Sequence, residues 1–331
     1  MKNLNQSPSI DQNHPVLKQS YAVYTPSMEE MITTIGNWID QKVSGGYIYG
    51  PSRFGKSVTV KWYVRTVLEE RFNNKLPMVV WSRPDTSMTE VEFWNLLLLE
   101  AKFRFQFPDK LKKKIQARFL FKQHLITIAR SARQNYVVLI IDEAHEVTLK
   151  EWKWLLGLQN ELDKDGFHLT VFSIGSHQLG YQPSFYSRIG NAHIAARFFA
   201  VSARFHGIRN IKELRFILNG YDIDSEWPEG TGISYLKYFA PSAFENNCRL
   251  ADQADELWMA FEELLPLEMR SSTKKSVMEL PMLHLAITVE QLLRQLENGK
   301  DWESTTSKIN LLNIIKNTGF TLFMRLISAQ E

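Results

Sequence analysis

Gly50-Pro51-Ser52-Arg53-Phe54-Gly55-Lys56-Ser57 satisfies the pattern G-x-x-x-x-G-K-[ST] at every fixed position. Two glycines let such a loop turn its backbone N–H groups inward on phosphate oxygens, and the helix that follows adds its positive dipole end. Lys56 is placed to bridge β- and γ-phosphates, and the Ser57 hydroxyl to ligate Mg²⁺, which makes ATP the expected ligand. A second group stands where the apolar run Val137–Ile141 ends in Asp142-Glu143. Asp142 suits the metal, through water, and Glu143 suits the orientation and deprotonation of an attacking water. The run Leu169–Ile174 ends in Gly175-Ser176, where the Ser176 hydroxyl could reach the γ-phosphate or that water. Arg188 and Arg197, before a fifth apolar run, are candidates to act across a subunit boundary on the transferring phosphoryl group. Arg249, just before an apolar-periodic helix, is a candidate to reach the nucleotide from a lid.

These groups need a frame that carries strand tips to one crevice. Tyr47–Tyr49, Met78–Trp81, Val137–Ile141, Leu169–Ile174 and Phe198–Val201 read as five continuous apolar strands, as a sheet covered on both faces requires. Helical spacing lies between them, as at Val60, Tyr63, Val64, Val67 and Leu68. Alternating strands and helices predict a parallel, doubly wound α/β sheet, with both motifs at the carboxyl ends of its strands. After about Leu218 only helical patterns remain, including Leu250–Leu265 and Leu283–Leu296. The expected organisation is a flexible arm over 1–20, an α/β ATPase domain over 21–218, a helical lid over 219–300 and a helical tail over 301–331. The arm and the tail, lying outside the ATPase core, are expected to be partner-binding segments.

Composition narrows the classes. The 331 residues are 44% hydrophobic and 23% charged with a net charge of +3, the balance of an ordinary globular protein. One cysteine, Cys248, excludes an internal disulfide and a thiolate metal cluster. The eight histidines lack zinc-site spacing. No run approaches the ~18 apolar residues of a membrane span, and the polar start lacks a secretory stretch, so a cytoplasmic protein is expected. Charge is unevenly distributed: residues 102–122 hold eight Lys and Arg against Asp109, a local +7. Lys110, Lys114 and Arg118 fall at i, i+4, i+8, with Lys113 beside them and Leu111, Ile115 and Phe119 forming an apolar stripe. The apolar stripe is expected to pack on the domain and the cations to face a nucleic-acid backbone, in a sequence-independent and salt-sensitive way.

Gly50–Ser57, Ile141-Asp142-Glu143, Ser176, Arg197-Phe198 and Arg249 together resemble the AAA+ P-loop ATPases. The segment Ile174–Leu179 and the overall arrangement resemble, more narrowly, the TnsC family, the TniB-related regulators of transposition found in CRISPR-associated transposons. The resemblance runs from about Val23 to the lid, and implies that Val23 and Tyr24, in Val23-Tyr24-Thr25-Pro26, begin the adenine pocket. Arg53 and Phe54 depart from the small residues usual in the loop. It implies further an ATP-dependent ring or filament of identical subunits around double-stranded DNA. That assembly would connect a TniQ-type target selector, bound to a guide-RNA complex, to the transposase TnsB and the nuclease TnsA, and hydrolysis would take it apart. Two other readings stand beside this one: an AAA+ loader or remodeller of another DNA-associated complex, and a non-hydrolysing interaction module. The intact Glu143 argues against the module, and the basic segment favours the DNA scaffold over the loader.

Overall fold

In the computed structural model, residues 12–103, 114–270 and 278–328 are described. The chain divides into two compact units, one from Met28 to Phe205 and one that joins the residues through Ser27 to His206–Glu331.

The first unit is built on the five apolar runs. β1 (Gly45–Tyr49), β2 (Met78–Ser82), β3 (Tyr136–Asp142), β4 (His168–Gly175) and β5 (Val201–Arg204) form one parallel sheet in the order β2-β3-β4-β1-β5. The intervening helices are α1 (Pro26–Asp40), α2 (Lys56–Thr59), α3 (Arg65–Arg71), α4 (Glu90–Glu100), α5 (Lys114–Ser131), α6 (Leu149–Lys164), α7 (His177–Arg188) and α8 (Ala192–Phe198), with a π turn, Val60–Val64, joining α2 to α3. The step from β1 to β2 runs across the sheet opposite to the other three. Right-handed crossovers therefore put α2 and α3 on one face and α4 to α8 on the other. The second face carries an apolar core, where Phe93, Trp94, Phe121, Trp152 and Phe198 are fully buried with Leu139, Ile141 and Val171 of the sheet.

Two expectations are corrected here. The fifth strand begins at Val201, and Phe198 instead closes α8. Phe198 and Phe199 are buried in the core, and a short apolar run has the same composition whether it ends a helix or starts a strand. In α5 the buried stripe is Ala117, Phe121, Leu125 and Ala129, all with no exposure. That choice of face turns Phe119 outward, 57% exposed, and draws Arg118 inward: its guanidinium pairs with Glu161 at 2.7 Å and lies 5.7 Å from the Trp94 ring. The expected arrangement, with Phe119 packed and Arg118 presented to a backbone, is reversed. Lys110 and Lys113 lie outside the described residues, and of Lys114 only its place at the start of α5 is described.

The second unit is helical: α9 (Ile211–Asn219), α10 (Tyr235–Phe239), α11 (Pro241–Glu245), α12 (Ala254–Glu263), α13 (Leu267–Arg270), α14 (Met282–Glu297), α15 (Trp302–Thr306), α16 (Lys308–Asn317) and α17 (Phe320–Ser328). Its only β pairing among the described residues is a single antiparallel bridge, Ile208 with Leu280. Residues 12–27 are part of it. His14 and Val16 have no exposure, the His14 ring sits among Trp227, Tyr235, Tyr238 and Phe239, and Tyr21 donates to Glu290 at 2.9 Å. Residues 12–20 are thus packed, not a flexible arm. The tail is also part of the bundle, with Leu311, Ile315 and Phe320 fully buried and Phe320 edge-on to Phe261. The division falls at Phe205–His206, not at 218. No helix among the described residues is long and apolar enough to cross a membrane.

Candidate nucleotide-binding site

β1 delivers the chain to Gly50, and α2 takes it away from Lys56. The turn between them has the backbone that its glycines permit. Gly55 has φ of +116°, which L side chains rarely adopt, and a Cβ at Gly50 would stand 2.5 Å from the carbonyl oxygen of Phe205. Arg53 is also left-handed, at φ 66°, a conformation that costs a non-glycine residue about 1–2 kcal/mol. Of the two unusual residues in this loop, Arg53 is exposed and Phe54 is buried in the core.

Lys56 is buried, and its ammonium donates to the carbonyls of Gly50 at 2.9 Å and Pro51 at 2.6 Å. Burial lowers its pKa to about 8, with Glu143 and Asp142 pulling the other way. A desolvated cation held by two neutral carbonyls is a fitting receptor for an anionic oxygen. Ser57, exposed one residue on, donates its hydroxyl to Glu143 Oε1 at 3.1 Å.

β3 carries the acids. Asp142 ends the strand, and its Oδ1 accepts the N–H of Glu143 at 2.9 Å. Burial raises its pKa, against the Ser57 hydroxyl and the backbone N–H of Glu143, which lower it. Glu143 adopts φ 55° before a tight turn, Ala144–Glu146, and this left-handed twist directs the chain away from the sheet just where its carboxylate meets Ser57. Oxygen donors at Ser57 and Asp142 fit a hard divalent cation that keeps most of its water. Among the described residues no cluster of three or more His, Cys, Asp or Glu offers an all-protein metal cage, so the cation would depend on ligand phosphates.

At the tip of β4, Ser176 caps α7, and its hydroxyl is buried without a hydrogen-bond partner among the described residues. An orphaned buried hydroxyl is one that a ligand oxygen can satisfy. Its N–H faces His145 Nδ1 at 3.4 Å, so β4 and the turn after β3 are tied through His145.

The remaining candidates divide between the two units. Arg188 is exposed at the far end of α7, about 18 Å along the helix from Ser176. Arg197 pairs with Asp163 at 3.4 Å. Its carbonyl stands where a Cβ of Gly45 would be, at the edge of the sheet where the strands begin, opposite the phosphate loop. A cavity of about 300 Å³ at that same edge is lined by Lys42, Asp163, His168 and Arg197. Neither arginine meets the Lys56–Glu143 group of its own chain. Val23, Tyr24 and Arg249 belong to the helical unit. Val23 is buried there against Gly220. The Arg249 guanidinium donates to the carbonyls of Phe244 and Cys248 and lies 3.8 Å from the Phe244 ring. Asp222 fixes the start of the following turn by accepting the N–H groups of Leu250 and Ala251.

A parallel five-stranded sheet in this order, a phosphate loop after β1, acids after β3 and C-terminal helices define the AAA+ P-loop fold. Residues 40–180 match the AAA domain family, a span that contains both the loop and the acids. No curated protein matches the sequence. Among solved structures, the chain is similar to the ORC2 protein of Aeropyrum pernix (11% identity, TM-score 0.46, covering 96% of this chain and 99% of that one). It is similar also to Cdc6p of Pyrobaculum aerophilum (14%, 0.44, covering 94% and 85%). A third is the Aeropyrum pernix ORC1 protein in complex with DNA (13%, 0.44, covering 92% and 86%).

Proposed function

We propose that this chain is an ATP-hydrolysing AAA+ switch that assembles as a homo-oligomer on double-stranded DNA, with turnover ending the assembled state. The observation that carries the reading is the convergence of Lys56, Ser57, Asp142 and Glu143, since the Ser57 hydroxyl touches the carboxylate best placed to act on water. The loop's N–H groups and Lys56 would hold the phosphates, and Ser57 and Asp142 would hold Mg²⁺, which when bound would supply neutralisation of charge on the transferring phosphoryl group. Ser57 then gives up Glu143, which is free to accept a proton from the attacking water, and Ser176 supplies a hydroxyl beside it.

Support for self-association comes from α7. Tyr181, Phe185 and Ile189, at i, i+4 and i+8, are 64%, 56% and 45% exposed, with Arg188 next to them. Such a stripe is suited to a neighbouring subunit, with Arg188 as the arginine supplied in trans and Arg197 the alternative. For DNA, the basic segment remains the candidate, now through Lys110, Lys113 and Lys114. The resemblance of the site to TnsC regulators supports the narrower role, a link between a TniQ-type target selector and the TnsB and TnsA transposition enzymes. A second reading, a loader or remodeller of another protein complex, is favoured by the pairing of Arg118 with Glu161 and Lys122 with Asp165, which removes Arg118 from the expected stripe and a further cation from the basic window around it.

Electron microscopy of the Glu143→Gln protein with duplex DNA and ATP tests the proposal. Rings or filaments on DNA that need ATP, persist in this variant and dissolve in the parent as ATP is consumed are expected. Assemblies that form equally without nucleotide would refute the switch, and nucleotide-dependent oligomers that ignore DNA would favour the second reading.

A further inference from the structure

We infer that His145 is a positioning residue for Glu143, coupling the orientation of that carboxylate to the tip of β4; the inference rests on the reading of Glu143 as the group that accepts the water's proton. His145 Nδ1 lies 3.5 Å from Glu143 Oε2 and 3.4 Å from the backbone N of Ser176. Its Nε2 lies 3.4 Å from Glu146 Oε1. One ring nitrogen thus faces an acceptor and a donor together. Carrying a hydrogen it can donate to Glu143; without one it can accept from Ser176; it cannot do both at once. The two partners are the water-activating acid and the residue whose orphaned hydroxyl stands at the end of β4.

The carboxylate needs such a partner once ligand binds. Its other oxygen, Oε1, rests on Ser57, the hydroxyl assigned above to the metal. When Ser57 turns to the metal, Lys56 still attracts the carboxylate through its charge, and His145 offers it a ring N–H. Its ring then decides whether the acid faces the water. A shift of the β4 tip that withdraws the Ser176 N–H releases Nδ1 for Glu143, and a return of the tip reclaims it.

The backbone of His145 is held by groups that do not depend on its ring nitrogens. The carbonyl of His145 accepts from Gln182 Nε2 at 3.0 Å, and the N–H of Glu146 closes the turn onto the Glu143 carbonyl. Across from it, Gly175 leaves the ring its room: a Cβ there would stand 3.2 Å from both the backbone N and Nδ1 of His145. The side chain is 14% exposed and lies outside the buried apolar cluster of the sheet face.

The test is steady-state ATP hydrolysis by His145→Ala, His145→Asn, His145→Gln, Glu143→Gln and the His145→Ala/Glu143→Gln double variant, with binding of a fluorescent ATP analogue and thermal melting measured on each. Asn places a donor-acceptor group near Nδ1, and Gln near Nε2. The expected result is a fall in kcat of about tenfold to a hundredfold for His145→Ala, with KM and analogue binding within about threefold. His145→Asn should recover most of the rate and His145→Gln little. In the Glu143→Gln background the His145→Ala change should cause no further loss, because it acts through the missing carboxylate. A parental kcat for His145→Ala, or the same fold loss with and without Glu143, overturns the inference alone. A Glu143→Gln protein that hydrolyses ATP at the parental rate overturns the hydrolysis reading and this inference with it. Should His145→Ala melt far below the parent, the comparison of Asn with Gln at equal stability decides: equal rates overturn the coupling.

Discussion

Lys56→Met should make the ligand-free protein more stable while removing its response to ATP. The Lys56 ammonium is buried, and its pKa falls from an ordinary 10.5 to about 8. That depression corresponds to about 3 kcal/mol of unfavourable burial of the charged form. Methionine keeps the length and apolar stem but forfeits two hydrogen bonds to the carbonyls of Gly50 and Pro51, at about 1 kcal/mol each. The net gain at pH 7 is then about 1 kcal/mol. The pH dependence separates the two contributions. A lysine whose folded pKa is depressed burdens the folded state fully below about 8, and the burden lifts as pH rises towards the unfolded value of 10.5. Between pH 7 and pH 9.5 the advantage of the variant should therefore shrink by about 2 kcal/mol, turning into a deficit of about 1. Urea unfolding at the two pH values measures this. In the same samples, ATP with Mg²⁺ at ~100 times its dissociation constant should stabilise the parent by about 2.7 kcal/mol and leave the variant unmoved. A variant whose stability relative to the parent is the same at both pH values would refute the picture of a desolvated ammonium awaiting a phosphate.

Two further substitutions test the loop and the helical unit separately. Gly50→Ala forces a methyl to within 2.5 Å of the Phe205 carbonyl oxygen, so the loop must shift; a stability loss of about 1–3 kcal/mol and a loss of ATP affinity of at least about tenfold should appear in urea unfolding and calorimetric titration. In the helical unit, burial raises the Asp222 pKa from 3.8 to about 6. An acid so raised holds its proton better when folded, so its contribution to stability is fully present below the unfolded value and is lost as pH rises through about 6. Asp222→Asn should remove that fall, narrowing the drop in stability between pH 4.5 and 7.5 by about 2 kcal/mol; an unchanged pH profile would show that Asp222 is not titrating in this window.

The phosphate loop and the acids were legible in the sequence because their chemistry is local. Gly50, Gly55, Lys56 and Ser57 work through the backbone of one turn, and the run Val137–Ile141 announces both the strand and the acids at its tip. Four strands were legible too, since strands covered on both faces must be continuously apolar. The fifth run was ambiguous for the reason that Phe198 shows: an apolar residue pair is buried equally well at the end of a helix. In α5, spacing gave the correct element but the wrong face. Leu111, Ile115 and Phe119 and the stripe Ala117, Phe121, Leu125 and Ala129 share one period, and only the packing of Phe121 against Trp94 chooses between them.

What the sequence determined by itself was a glycine-bearing turn between a strand and a helix, an acidic strand tip, and a parallel α/β frame to bring them together. These depend on residue types at fixed separations along the chain. Only the tertiary structure decided that residues 12–27 pack with the C-terminal helices, that Arg118 turns inward to Glu161, and that His145 stands between Glu143 and Ser176. Each of these joins residues brought together by burial and by the crossing of strands, and burial selects among equally periodic faces in a way that no local pattern records.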